Sequence, residues 1–161
     1  MDKNTKHDFL KLKNQLCFPL YATSREVIKL YKNYLDELDL TYTQYIVMTL
    51  LWECETLTVK ELGDRLFLDS GTLTPLLKKL EAKGLVSRIR STKDERNLNV
   101  SITTDGQTLR EKALNCPMKM EHACPLTMEE SVQLYKLLYK MLGQTDVEIP
   151  DWYVESAKQE E

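Results

Sequence analysis

At 161 residues, 42% of them hydrophobic and 29% charged, the chain has room for one ordinary domain with its own core and helices left over for a partner subunit. No apolar run approaches the roughly 20 residues that span a bilayer. The amino-terminal MDKNTKHDFLKLKN lacks the basic-then-apolar order of a secretory signal, so a cytoplasmic chain with no membrane role is expected, its four cysteines free thiols rather than structural disulfides. The net charge of -3 is unlike that of a nucleic-acid binder, but it is unevenly spread. Between Gly71 and Lys93 there are six basic residues (Lys78, Lys79, Lys83, Arg88, Arg90, Lys93) against Glu81 alone, whereas Thr145 to Glu161 holds six acids against Lys158. A phosphate backbone would meet a locally positive face.

In chain order, Phe9 to Leu38 is expected to be helical, with apolar residues recurring at Leu16, Leu20, Val27, Leu30, Tyr34 and Leu38. Pro19 interrupts that pattern and predicts a break or restart near Leu16 to Leu20. Thr43 is the expected cap of the almost continuously apolar run QYIVMTLLWE, a helix buried at the centre of the domain. Glu55-Thr56-Leu57 reads as a short connector or a small strand pairing with a later hairpin. Thr58 with Glu61 forms a capping box that opens the helix VKELGDRLF.

The companion helix starts at Asp69 or Ser70, either of which can cap, and runs through GTLTPLLKKLEAKG to Gly84. Pro75 is expected within its first turn or so, where a missing amide hydrogen costs least. Leu73, Leu76, Leu77 and Leu80 make its buried stripe, leaving Thr72, Thr74, Lys78 and Lys79 outward. Leu85 to Arg90 and Leu98 to Thr103 alternate as strands around the polar STKDERN. Thr104 is the expected cap of a helix from about Gly106 to Leu114, and Thr127 with Glu130 opens MEESVQLYKLLYKMLG. The broad apolar arc of that last helix points to a dimer interface made with the long amino-terminal helix. The fold class is therefore mainly α: a winged helix-turn-helix over 58–103, dimerisation helices over 9–38 and 106–143, a small β-hairpin wing and an acidic tail over 144–161, in a single domain.

A recognition helix lying in the major groove needs short polar and basic side chains near its amino-terminal half, and Ser70, Thr72, Thr74, Lys78 and Lys79 supply them. The same pattern would otherwise be an ordinary amphipathic helix with a solvated face; the basic hairpin that follows at once favours DNA. In the wing, Arg96 is placed to enter the minor groove with Asp94 orienting it, and Arg88 and Arg90 are candidate phosphate contacts. An exposed charged turn is the alternative for the DER string taken alone.

Here the sequence resembles a known family. The run LDSGTLTPLLKKLEAKGLVSRIRSTKDERNLNVSITTDG is similar to the MarR family of winged-helix regulators, including an Asp-x-Arg wing element at Asp94 and Arg96. The run NQLCFPLYATSREVIKLYKNYLDELDLTYTQYIVMTLLWE resembles the organic-hydroperoxide-sensing OhrR branch of that family. The resemblance covers roughly Leu12 to Leu142. It implies a homodimer on double-stranded, pseudo-palindromic operator DNA near a peroxide-detoxification gene, acting as a repressor.

It also implies a role for Cys17. A cysteine on an apolar helix face is by default a small buried hydrophobe, but Tyr21 lies one turn on. Tyr31 and Tyr42 match positions whose phenols, in the OhrR branch, hydrogen-bond the reactive sulfur across the dimer. A thiolate is the nucleophile, and phenols donate to it without adding charge. Cys17 would then be oxidised by an organic hydroperoxide, and the product trapped by a low-molecular-weight thiol or by a resolving cysteine, Cys124 before Cys116. Cys116, beside Pro117, is read as a surface thiol and Cys54 as structural. His7 and His122 form no ligand set with these cysteines, so neither a metal nor a cofactor is expected. Three readings compete: a MarR-type repressor released by a small apolar or aromatic ligand, a thiol peroxidase using Cys17, and a global regulator of the same fold.

Overall fold

The computed structural model describes residues 7–90, 98–114, 116 and 125–150. The chain divides into two compact units, Met1–Met120 and Glu121–Glu161. In the first, a single 3-10 turn, Leu12–Asn14, gives way to extended backbone at Gln15, and helix α1 then runs from Cys17–Asp36. The restart expected around Pro19 is thus present. Pro19 is the third residue of α1, in the first turn, where a backbone N–H has no intrahelical acceptor and its loss costs little.

Asp39, with φ 51, turns the chain into helix α2, Tyr42–Cys54. Its cap is Thr41 rather than the expected Thr43. The reason lies three residues on: the Gln44 carboxamide oxygen accepts from the Thr41 amide at 3.0 Å while the Thr41 hydroxyl accepts from the Gln44 amide, a closed capping box. Strand β1, Thr56–Thr58, leads into helix α3, Val59–Leu66, through the Thr58–Glu61 box. Phe67, at φ 54, ends α3 in the left-handed region and begins the tight turn to helix α4.

Helix α4, Ser70–Ala82, is capped by Asp69 and ends before Gly84, whose φ of 73 is open to glycine without strain. Pro75 is its sixth residue, a turn deeper than expected, so α4 forgoes one internal hydrogen bond. Strands β2, Val86–Arg90, and β3, Leu98–Ile102, form the hairpin, and β1 joins its far edge to give an antiparallel sheet in the order β1-β3-β2. Helix α5, Thr104–Ala113, follows; its cap is Thr103, one residue before the Thr104 expected, accepting from the Gly106 amide at 3.0 Å.

The core is built from α2, α3, α4 and the sheet. Val47, Met48, Leu51, Leu62, Leu73, Leu77, Leu80 and Val100 are fully buried, and the α4 stripe is the predicted one. One junction holds the module together. The Trp52 indole donates to the Gly106 carbonyl at 2.8 Å, and the Thr103 hydroxyl donates to the Gly84 carbonyl at 2.6 Å. A β-carbon on Gly106 would lie 2.2 Å from the Leu85 carbonyl oxygen, closer than any contact allows, so only glycine lets α5 approach β2 here.

Helix α1 joins this core only at its far end. Leu35 and Leu38 are buried, whereas Leu16, Leu20, Val27 and Leu30, which the sequence placed on the packed stripe, are exposed. In the second unit, helix α6, Met128–Met141, opens through the Thr127–Glu130 box, sets Tyr135 against Tyr139 with ring centroids 4.6 Å apart and planes tilted by 47°, and exposes Leu134, Leu137 and Met141. Among the described residues no helix is long and apolar enough to cross a membrane.

Candidate nucleic-acid interface and thiol site

The amino-terminal turn of α4 is organised by its own side chains. The Asp69 carboxylate accepts from the Thr72 amide and from the Thr72 hydroxyl, each at 2.9 Å, and these bonds hold its carboxyl below the usual range. The Thr74 hydroxyl donates to the Ser70 carbonyl at 2.7 Å. Both threonine protons are thus committed to the helix, so the oxygens offer lone pairs outward, while Lys78 and Lys79 add exposed positive charge a turn later. Ser70, Thr72, Thr74, Lys78 and Lys79 all lie on the solvent side of α4, as the buried leucine stripe requires.

The wing strands divide their arginines. Arg90 is exposed, but Arg88 is only 17% exposed and donates through both Nε, at 3.0 Å, and Nη2, at 2.6 Å, to one oxygen of Glu81 on α4. The Arg88 guanidinium holds the Glu81 carboxyl below the usual carboxylate range. Asp94 and Arg96 lie outside the described residues. At the carboxy end of α4, Lys83 reaches back to the α1–α2 turn, pairing with the Asp39 carboxylate at 2.9 Å and with its backbone carbonyl. The sequence carried no signal for either tie, since seven and forty-four residues separate the partners.

Cys17 is the first residue of α1 and is exposed. It stands at the amino end of a 20-residue helix, where negative charge is favoured. Tyr21, one turn on, is also exposed; its hydroxyl accepts from Arg25 at 2.9 Å, and the guanidinium sits 5.6 Å from the ring centroid. Tyr31, Tyr42 and Tyr45 form a cluster, with centroids 5.1 Å apart for Tyr31 and Tyr42 and 5.8 Å for Tyr31 and Tyr45. Burial pushes the Tyr42 and Tyr45 phenols up, so both keep their protons, and their capacity to donate, throughout the neutral range.

Fourteen residues of helix separate Cys17 from Tyr31, roughly 21 Å at about 1.5 Å per residue, so the sulfur and the tyrosine cluster of one chain do not meet. Yet they share a face. Cys17, Tyr21, Ser24, Ile28, Tyr31, Leu35 and Leu38 follow one another at alternating steps of four and three, the spacing of a helix seam.

The other thiols differ. Cys116 is buried, 4% exposed, within the core cluster, which corrects its expected place at the surface. Cys54 is half-buried, and its sulfur accepts from Arg65 Nη1 at 3.2 Å. Cys124 lies outside the described residues, as does His122. Among the described residues no group of three or more His, Cys, Asp or Glu side chains is placed to hold a metal ion.

The model of the family described as "Transcriptional regulator SarA/Rot" matches residues 29–113. The organic hydroperoxide resistance transcriptional regulator of Bacillus subtilis (strain 168) is 52% identical over 137 residues, covering 85% of this chain and 93% of that protein. The HTH-type transcriptional regulator SarZ of Staphylococcus aureus (strain USA300) is 53% identical over 109 residues, covering 68% of this chain and 74% of that one. Among solved structures, reduced AbfR bound to DNA superposes with a TM-score of 0.72 at 35% identity, over 87% of this chain and 97% of that chain. The winged-helix fold and the relatives agree: the chain belongs to the MarR/SarA family of transcriptional regulators, in its organic-hydroperoxide-sensing OhrR branch.

Proposed function

We propose that the protein is a cytoplasmic homodimer that binds operator DNA through α4 and the wing and is released from it when an organic hydroperoxide oxidises Cys17. The observation that carries this reading is the seam along α1. It sets an exposed thiol at one end and a cluster of proton-holding phenols at the other, too far apart to meet in one chain. A second copy packed antiparallel along α1 would bring each sulfur to the other's tyrosines. It would also cover Leu20, Val27 and Ile28, which a lone chain leaves in water.

In the chemistry that follows, the Cys17 thiolate attacks the terminal oxygen of the hydroperoxide. The O–O bond breaks and its electron pair leaves with the alkoxide, which takes a proton and departs as the alcohol. The sulfur keeps the hydroxyl as a sulfenic acid. Condensation of that acid with a second thiol forms a disulfide and releases water. Burial of Cys116 favours Cys124 or a low-molecular-weight thiol as that second partner. Apolar neighbours, Phe18 and Leu20 among them, favour peroxides with hydrocarbon substituents over hydrogen peroxide.

The test follows intact mass and DNA release together. A duplex selected by the wild-type protein from a randomised pool is titrated by fluorescence anisotropy before and after about one equivalent of cumene hydroperoxide. Wild type should gain an oxygen or a disulfide at Cys17 and lose at least about tenfold in affinity, whereas Cys17→Ser should bind and stay bound. Release of Cys17→Ser by the same peroxide, or an unmodified Cys17 in released wild type, would overturn the reading.

A further inference from the structure

Alternation along β2 sets Val86, Arg88 and Arg90 on one side of the sheet and Ser87 and Ile89 on the other. The core side is the one that carries Val86, 2% exposed, and Val100, the fully buried cross-strand partner of Arg88. Ile89, the apolar residue between the two arginines, is 65% exposed. Arg88 therefore leaves the sheet on its inner face, where α4 packs against β2, and ends on Glu81 in the last turn of α4.

We propose that Arg88 is a positioning residue rather than a phosphate contact: pinned by Glu81, it locks the wing strand to the carboxy-terminal end of the recognition helix and sets the angle at which the two engage DNA. Three observations support this. Two guanidinium nitrogens converge on a single carboxylate oxygen, a geometry that fixes the side chain rather than merely neutralising it. The guanidinium is largely withdrawn from solvent, while Arg90, two residues further out, remains free to meet phosphates. And the only backbone joining α4 to β2 is the short turn through Gly84, so a side-chain tie across it restrains the wing directly.

The proposal rests on the DNA-binding reading, and the sign of one substitution separates the two. Glu81 lies beside a surface meant for phosphates, so by charge alone Glu81→Gln should tighten DNA binding. If Glu81 instead holds the lock, the same change weakens it. Anisotropy titrations against the duplex selected by wild type, run well below each variant's melting midpoint, should give about fivefold to tenfold weaker binding for Glu81→Gln. Arg88→Lys, which keeps the charge but loses the two-nitrogen grip, should weaken binding similarly. The exchanged pair, E81R with R88E, should recover at least half of that loss on a logarithmic scale.

Glu81→Gln or Arg88→Lys binding as tightly as wild type, or tighter, would overturn the lock, as would an exchanged pair no better than the single variants. Failure of the wild-type protein to enrich any duplex would instead overturn the DNA-binding reading itself.

Discussion

The module from α2 to α5 and the outer two-thirds of α1 are built on opposite terms. The module closes on itself. Its leucines interdigitate to near-zero exposure, four helix starts are capped by side chains, and Trp52 bolts α2 to Gly106 at the start of α5. The outer part of α1 leaves Leu16, Phe18, Leu20, Val27 and Ile28 uncovered, and no residue of the helix before Leu35 is buried. Under the proposed function, that difference separates a reader that one chain completes from a sensor that needs two. Cys17 and the phenols of Tyr31 and Tyr42 stand far apart along one rod, so under the proposed function each sulfur reaches phenols only across the dimer.

The contrast can be attacked first from the reader's side. Gly106→Ala sets a methyl 2.2 Å from the Leu85 oxygen and 2.9 Å from Ile102 Cγ1, so α5 must back away and the Trp52 bond with it. A loss of about 3 kcal/mol or more is expected in urea melts followed by circular dichroism. Stability within about 0.5 kcal/mol of wild type would mean the junction does not hold the module.

Ile28→Asp tests the sensor's side with a smaller effect. Ile28 is already 40% exposed in one chain, so the reader should melt as before. The dimer should weaken on the order of 100-fold, because the carboxylate would be buried in the seam. Sedimentation velocity that still finds the dimer at micromolar concentration would place the interface elsewhere.

Acid should divide the two regions more gently. Hydrogen bonds from Arg88, from Thr58 and from Thr72 hold the Glu81, Glu61 and Asp69 carboxyls below their ordinary values. Stability from a depressed carboxyl is fully present above its unfolded value, near 4, and is lost as pH falls through the folded one. The urea midpoint of the reader should therefore start to drop as pH falls through about 4 and keep dropping below it. The raised phenols of Tyr42 and Tyr45 stay neutral throughout that window. A midpoint independent of pH there would mean these ties do not contribute.

Where the fold was legible in the sequence, the signal was local. Thr58 with Glu61, Thr127 with Glu130 and the leucines of α4 announce themselves within four residues, and all stand in the structure as read. The errors also have local causes. Thr43 looked like the cap because two threonines compete there, and the Gln44 side chain decides for Thr41. The stripe through Leu16, Leu20, Val27 and Leu30 was chosen for hydrophobicity, which hid the neighbouring seam through Cys17, Ser24 and Tyr31 because its members are partly polar. Arg88 and Arg90 were both read as candidate phosphate contacts because the two arginines of VSRIR look alike on paper; which face of the strand is inside is decided by Val86. Nothing in the sequence marks the long-range ties of Trp52 to Gly106 or of Lys83 to Asp39.

After Pro19 the remainder of α1 contains neither proline nor glycine, so from Cys17 to Leu35 it is a stiff beam of roughly 27 Å. Within one chain the reader's core seats that beam at its Leu35 end, and a beam so held acts as a lever. A tilt of about four degrees at the Leu35 seat sweeps the sulfur through nearly 2 Å, and in reverse a displacement of that size at the sulfur returns as torque at the seat. That seat adjoins Asp39, whose carboxylate holds the end of α4 through Lys83. Under the proposed function, the bonding state of the Cys17 sulfur and the pitch of α4 are joined through α1, its Leu35 seat and the Asp39–Lys83 pair.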